Sequence, residues 1–186
     1  MTTRDALRVI VRELSDEIVV HTTGYVCRES CALLDRPGNF YMIGSMGLAP
    51  AIGLGLALRK RSRRVLVLDG DGALLMGLGV LAMVAAFAPS HFHHVVFDNG
   101  AYASTGHQPT PAPQAPLDNL ALSSGYRWAA RVMEDAGLLS SFRAFQAQAG
   151  PAFLLVKCVE DRTIPPAPRI PRAPPEVTRR VMEEVR

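Results

Sequence analysis

The sequence predicts an α/β domain, a parallel β-sheet with helices on both faces. Two observations carry this. Short apolar runs at 17–21, 40–43, 64–69 and 94–97 alternate with segments of helical spacing, the pattern of parallel strands joined by helical crossovers. Each run also ends in a polar turn: Thr22-Thr23-Gly24, Gly44-Ser45-Met46-Gly47, Gly70-Asp71-Gly72 and Asp98-Asn99-Gly100. Ligands of open parallel sheets sit beyond the carboxyl ends of the strands, so the four turns are expected at one edge.

The 186 residues suit one domain. At 48% hydrophobic and 20% charged, the chain buries a real core and is not disordered. We divide it into a domain at 1–163 and a Pro/Arg-rich tail with a terminal helix at 164–186. The net charge of +3 comes from interspersed basic and acidic residues and gives no reason to expect nucleic acid. Cys27, Cys31 and Cys158 include no CxxC pair, which fits a reducing cytoplasm rather than a disulfide framework. Two segments lack formal charge, 37–58 and 72–97. Glycines and Pro50 interrupt the first, and Pro89, Ser90 and three histidines interrupt the second. Both are expected to be buried helices and strands of a soluble protein, not membrane spans.

A first helix is expected at 4–14, with Leu7, Ile10, Val11 and Leu14 on one face. The strand at 17–21 follows, and the strand at 40–43 leads into a buried helix at 48–58. The basic cluster at 59–64 marks the exposed end of that helix, where cations complement its dipole. The strand at 64–69 is apolar on both faces, as a buried parallel strand requires. A helix at 73–87, a strand at 94–97 and a proline-rich loop at 110–116 come next. A short helix at 118–124 is expected to be capped by Asp118. A strand at 127–131, a helix at 138–149, a strand at 152–159 and a helix from Glu176 complete the order. His91, His93 and His94 are expected in a solvated turn away from the ligand edge.

Gly70-Asp71-Gly72-Ala73 opens a helix after a buried strand. Glycines let a phosphate approach the backbone, and the amides of a helix start attract it. Asp71 would repel that phosphate unless a metal lay between them. Mg²⁺ suits hard oxygen donors shared with a diphosphate. One helix and one strand later the chain returns to the same edge with Asn99, a second oxygen donor, and the Ala101 carbonyl offers a third. Either turn alone is compatible with an ordinary turn. The two together favour a metal–diphosphate site. No GxGxxG follows the first strand, which argues against a Rossmann-type nucleotide binder.

Gly70-Asp71-Gly72 followed by Asn99 resembles the motif of thiamine diphosphate enzymes, in which GDG is followed by an NN pair; Asp98 stands here in place of the first Asn. Phe40-Tyr-Met-Ile-Gly-Ser-Met-Gly47, Gly53-Leu-Gly-Leu-Ala-Leu58 and Asp98-Asn-Gly-Ala-Tyr-Ala-Ser-Thr-Gly106 resemble the cofactor-binding half of sulfopyruvate and phosphonopyruvate decarboxylases. The similarity runs over about residues 17–160.

The resemblance implies a thiamine diphosphate-binding (PP-type) domain. It implies Mg²⁺ held by Asp71, Asn99 and Ala101. Thr22, Thr23, Gly24, Ser45, Gly70, Gly72, Ala73 and Tyr102 would lie against the cofactor. The Gly44 carbonyl would accept from the pyrimidine amino group, with Met46 beneath the bend of the cofactor. The implied reaction is decarboxylation of a 2-keto acid, with sulfopyruvate favoured over phosphonopyruvate. It needs a pyrimidine-binding domain with its glutamate, expected on a separate alpha subunit of a hetero-oligomer. A subunit that binds the cofactor without catalysing is the other reading. Ala103 and His107 depart from the residues common in such loops, and His107 is read as a surface-loop histidine.

Overall fold

The structure, a computed structural model, describes residues 1–160 and 162–186. Six strands form one sheet: β1 (Ile18–His21), β2 (Asn39–Tyr41), β3 (Val65–Gly70), β4 (Phe92–Asp98), β5 (Trp128–Val132) and β6 (Ala152–Lys157). Their order is β2-β1-β3-β4-β6-β5 and every pairing is parallel. The chain winds outward to β2 from β1 and outward to β4 from β3. The switch point of the topology therefore lies between the ends of β1 and β3, where such sheets bind ligands.

Alternate side chains of the strands enter two cores. Val65 and Val67 of β3 face one, with Leu54 and Ala57 of α3 (Ala49–Arg59), Leu81 and Val84 of α5 (Val80–Phe87) and Ala121 of α6 (Leu117–Ser124). Leu66 and Leu68 face the other, with Leu7 and Ile10 of α1 (Thr3–Arg12), Val26 of α2 (Tyr25–Leu33) and Leu138 and Phe142 of α7 (Asp135–Gln146). A reciprocal capping box starts α1, Thr2 accepting from Asp5 N and Asp5 accepting from Thr2 N.

Several elements differ from the expectation. The helix expected over 73–87 is two, α4 (Asp71–Met76) and α5. The break falls at Gly77-Leu78-Gly79, where a Cβ on Gly77 would lie 2.4 Å from the Gly47 carbonyl oxygen. Only glycine allows that approach. No strong periodicity marks α2, and it was not expected; it forms because Val26 and Cys27 find buried contacts beside β1 and β2. Helix α3 is not buried all round: Leu48 at its start and Ala51, Gly55 and Leu58 along one face are exposed. Pro116, not Asp118, is the N-cap of α6; Asp118 lies in the first turn and pairs with Arg131.

His93 and His94 are buried residues of β4, not a solvated turn. The strand begins two residues earlier than expected because Phe92 is drawn into the core beside Val65. His93 packs edge-on against Phe145, its ring centroid 4.9 Å away. Burial pushes its pKa down to about 4, so it is a neutral core residue. His91 is half-buried, its Nε2 2.8 Å from the Ala57 carbonyl oxygen.

The C-terminal segment folds onto the domain. Helix α8 (Pro174–Glu184) starts on two prolines that suit a first turn. It buries Val177, Val181 and, just beyond it, Val185 at successive turns against the β2 side of the sheet. Arg172 and Arg180 clamp Asp35 at 2.6 and 3.1 Å. Among the described residues no helix is long and apolar enough to cross a membrane.

Candidate active site

The ends of β1, β3 and β4 open into a cavity of about 220 Å³. Thr22, Thr23, Met46, Gly70, Asp71, Gly72, Ala73, Asn99, Ala101 and Tyr102 all line it. Residues from four separate turns therefore meet at one edge because their strands are parallel and adjacent. Gly24, Gly44 and Ser45 do not line it. Gly24 has φ of +91° and begins α2 against Ser104, whose Oγ would lie 2.8 Å from an added Cβ. Gly44 and Ser45 line a neighbouring depression with Phe40, Leu48 and Thr178.

Asp71 opens α4 and is 2% exposed. Its Oδ2 accepts from the Thr110 hydroxyl at 2.5 Å. No Lys, Arg or His pairs with it among the described residues. Burial pushes its pKa up to about 6, against the lowering effect of the Thr110 bond and with the help of nearby Asp98. A buried carboxylate lacking a countercharge, facing a cavity, suits a cation as its missing partner. Asn99 bends its own turn, Oδ1 accepting from Ala101 N at 3.1 Å. Asp98 is also 2% exposed, yet Lys157 Nζ reaches it at 2.6 Å and Gly100 N donates to it at 3.2 Å.

Two further features fit an anionic ligand. Thr22 Oγ1 is buried at the cavity with no hydrogen-bond partner among the described residues. The backbone of Gly70 faces space in which a Cβ would meet nothing within 4 Å. A diphosphate offers the acceptor that the hydroxyl lacks and occupies space beside the bare backbone. The donor set is therefore compatible with a divalent metal and a diphosphate.

Sequence reasoning missed several lining residues. Tyr25 and Glu29 come from α2. Glu29 is held by Arg4 at 2.7 and 2.8 Å and by Ala167 N at 2.7 Å, so the N-terminal helix and the C-terminal segment meet there. Thr110 supports Asp71 from across the loop after β4. His107, read as a surface residue, lines the cavity with Glu160 and Arg162, and its Nδ1 bonds Glu160. No local pattern announces these contacts; the only signal was the chemistry of the side chains.

Comparison with known proteins gives the same answer for the domain. Residues 24–156 match the family model described as thiamine pyrophosphate enzyme, C-terminal TPP binding domain. A sulfopyruvate decarboxylase of Methanosarcina acetivorans is 42% identical over 98% of this chain and 47% of its own. The sulfopyruvate decarboxylase subunit beta of Methanothermobacter thermautotrophicus is 43% identical over 80% of this chain and 77% of its own. A phosphonopyruvate decarboxylase of Streptomyces viridochromogenes is 48% identical over 66% of this chain and 31% of its own. The chain thus spans about half the length of the methanosarcinal relative. Among solved structures, a putative thiamin diphosphate-dependent enzyme from Mycobacterium smegmatis shares the fold, with a TM-score of 0.72 at 22% identity over 86% of this chain and 32% of its own. The matched model spans every turn that builds the cavity except Thr22 and Thr23, and on that basis the chain belongs to the thiamine pyrophosphate enzymes, in the family of their C-terminal TPP-binding domains.

Proposed function

We propose that this chain is the cofactor-binding, beta part of a Mg²⁺-dependent decarboxylase of a 2-keto acid, sulfopyruvate giving sulfoacetaldehyde and carbon dioxide. The observation that carries it is Asp71, a buried carboxylate with no countercharge among the described residues, at the switch point of the sheet. Asp71, Asn99 and the Ala101 carbonyl hold the metal. The Thr22 hydroxyl and the open backbone at Gly70 face the diphosphate, with Thr23, Gly72, Ala73 and Tyr102 around it. Thiamine diphosphate, when bound, supplies the carbon nucleophile and the electron sink for loss of carbon dioxide. Gly44 and Met46 serve the pyrimidine side, Gly44 through its carbonyl and Met46 as a wedge. The turn that carries Met46 is anchored by its neighbour, since Gly47 packs on Gly77 at the break between α4 and α5.

The reading includes a separate alpha subunit carrying the pyrimidine-binding glutamate. The relatives named subunit beta support it, as does a cavity smaller than the ~300–1,000 Å³ typical of small-molecule sites. Exposed Ile43 and Leu48, in the turn after β2, and Met76, at the end of the short α4, give a partner apolar surface. Three free cysteines agree with a cytoplasmic setting. Phosphonopyruvate is the second reading, favoured by the 48% identity to a phosphonopyruvate decarboxylase.

The test is aldehyde formation from both keto acids by this chain co-expressed with an alpha partner, with thiamine diphosphate and Mg²⁺. Turnover of sulfopyruvate that is lost when either chain is omitted is the expected result. Preference for phosphonopyruvate would replace the substrate. Cofactor binding without turnover of either would leave a binding subunit only.

A further inference from the structure

The proposed reaction consumes one proton for each carbon dioxide released, so the cavity needs a donor that works near neutral pH. Its charged side chains are Arg4, Glu29, Asp71, Glu160 and Arg162, and His107 is the one imidazole among the described lining residues. The arginines hold their protons too tightly to give them up. Glu29 is tied as an acceptor to Arg4 and Ala167 N, and Asp71 faces the metal position. Imidazole in general gains and loses a proton near neutrality.

His107 is placed for that work. The loop after β4 is closed at its base by the antiparallel bridge between Ala101 and Pro109 and by Tyr102 N donating to Gln108 O at 2.9 Å. His107 N donates to Tyr102 O at 3.2 Å, which ties the histidine to the turn that carries Asn99 and Ala101. Its Nδ1 bonds Glu160 Oε1, and Glu160 Oε2 accepts from Arg162 Nε at 2.9 Å. Burial raises the Glu160 pKa, but the bonds from Arg162 and His107 outweigh it and leave the carboxylate below its ordinary range. An ionised carboxylate on Nδ1 holds one tautomer and orients the ring, leaving Nε2 for other chemistry. Nε2 has no partner among the described residues. The residue also sits at φ +57°, where glycine is far easier. A side chain kept at a strained position beside a cavity points to a use for it.

We propose that His107 is the proton donor of the decarboxylation, with Glu160 as the positioning residue that orients its ring. The proposal rests on the decarboxylase reading above. Loss of carbon dioxide leaves an electron pair for the former keto carbon, and that pair forms the new C–H bond. The donor is the ring protonated at both nitrogens: its Nε2–H bond breaks with the electrons remaining on nitrogen, which leaves the Nδ1-protonated neutral imidazole bonded to Glu160, and Nε2 then recovers a proton from water. No oxidant or reductant is needed.

The test uses the assembled complex with H107G and E160Q. H107G removes the ring and relieves the backbone, so its urea midpoint stays level or rises. Its kcat for aldehyde formation falls about 100-fold or more, with KM changed less than about twofold, and added free imidazole restores part of it. E160Q lowers kcat about 10-fold, and the ¹⁵N spectrum of the ring, assigned by its loss in H107G, changes from one Nδ1-protonated tautomer to a mixture. Retention of wild-type kcat by H107G overturns the proposal. So does a loss that imidazole does not rescue and that comes with a lower urea midpoint. A wild-type complex that turns over neither keto acid overturns the decarboxylase reading, and this inference with it.

Discussion

The carboxyl ends of β3 and β4 each place a carboxylate, 2% exposed, at the same sheet edge, and the protein treats the two in opposite ways. Asp98 is neutralised from within: Lys157, the last residue of the neighbouring β6, reaches it at 2.6 Å. Asp71 has no countercharge among the described residues and takes a neutral hydroxyl, from Thr110 at 2.5 Å. A buried charge that is paired belongs to the structure, whereas one left unpaired at a cavity waits for a ligand. The comparison also accounts for Asp98 standing where relatives of the motif carry Asn. Lys157 offsets the extra charge, and Asp98 Oδ1 still accepts the Gly100 amide that an Asn oxygen would accept.

The largest expected effect separates the two carboxylates by metal affinity. Asp71→Asn weakens Mg²⁺ binding by more than about 100-fold, since even outer-shell changes cost ~10–100-fold. Asp98→Asn weakens it by less than about 10-fold. Calorimetric titration of Mg²⁺ into the complex with thiamine diphosphate reads both, and equal losses would erase the distinction.

Next is the pH dependence of the metal-free domain. Folding raises the Asp71 pKa from 3.8 to about 6. The folded state thus binds the extra proton between these values, and the stabilisation is complete below 3.8 and lost as pH rises through 6. The difference amounts to about 3 kcal/mol. Urea unfolding of Asp71→Asn against the parent should therefore show the variant gaining on it between pH 4 and pH 7. Parallel curves would mean that Asp71 is not an unpaired buried charge.

Lys157→Met tests the other arm. Breaking a fully buried ion pair costs ~3–5 kcal/mol. Lys157 is 30% exposed, so a loss of about 2 kcal/mol is expected. Adding Asp98→Asn should recover most of it, and a double variant as unstable as the single would refute the pairing. The smallest effect is Thr110→Val, about 1.5 kcal/mol at pH 7, the low end for one hydrogen bond to a charged group. The same substitution at pH 4, where Asp71 is largely protonated, should cost less.

The legible part of the fold followed from local patterns. Apolar runs at 64–69 and 94–97 sit in buried strands, and the alternation of strands and helices led to the parallel sheet. Of the candidate site, ten of the residues singled out line one cavity because each lies at the end of a strand of that sheet or in the turn after it. The failures have particular causes. The stretch 73–87 is apolar throughout, so nothing in its composition shows that Gly77 must approach Gly47 and break the helix. His93 and His94 look polar, yet His93 reaches the Gln148 carbonyl and packs on Phe145, and His94 lies among the Tyr126 hydroxyl, Phe153 and the Asp69 carboxylate, partners that admit an imidazole to a core.

What the sequence determined by itself was whatever rests on neighbours along the chain: the strand and helix periods, the Thr2–Asp5 capping box, and oxygen donors at Asp71 and Asn99 beside two strand ends. Only the tertiary structure decided which of those donors is left without a countercharge among the described residues, and which histidine lines the cavity. Asp71 with Thr110, Asp98 with Lys157 and His107 with Glu160 join residues from different crossovers of the sheet. Charge, burial and hydrogen bonding at an edge depend on which strand ends lie side by side, and strand order is a property of the packed sheet that no local pattern encodes.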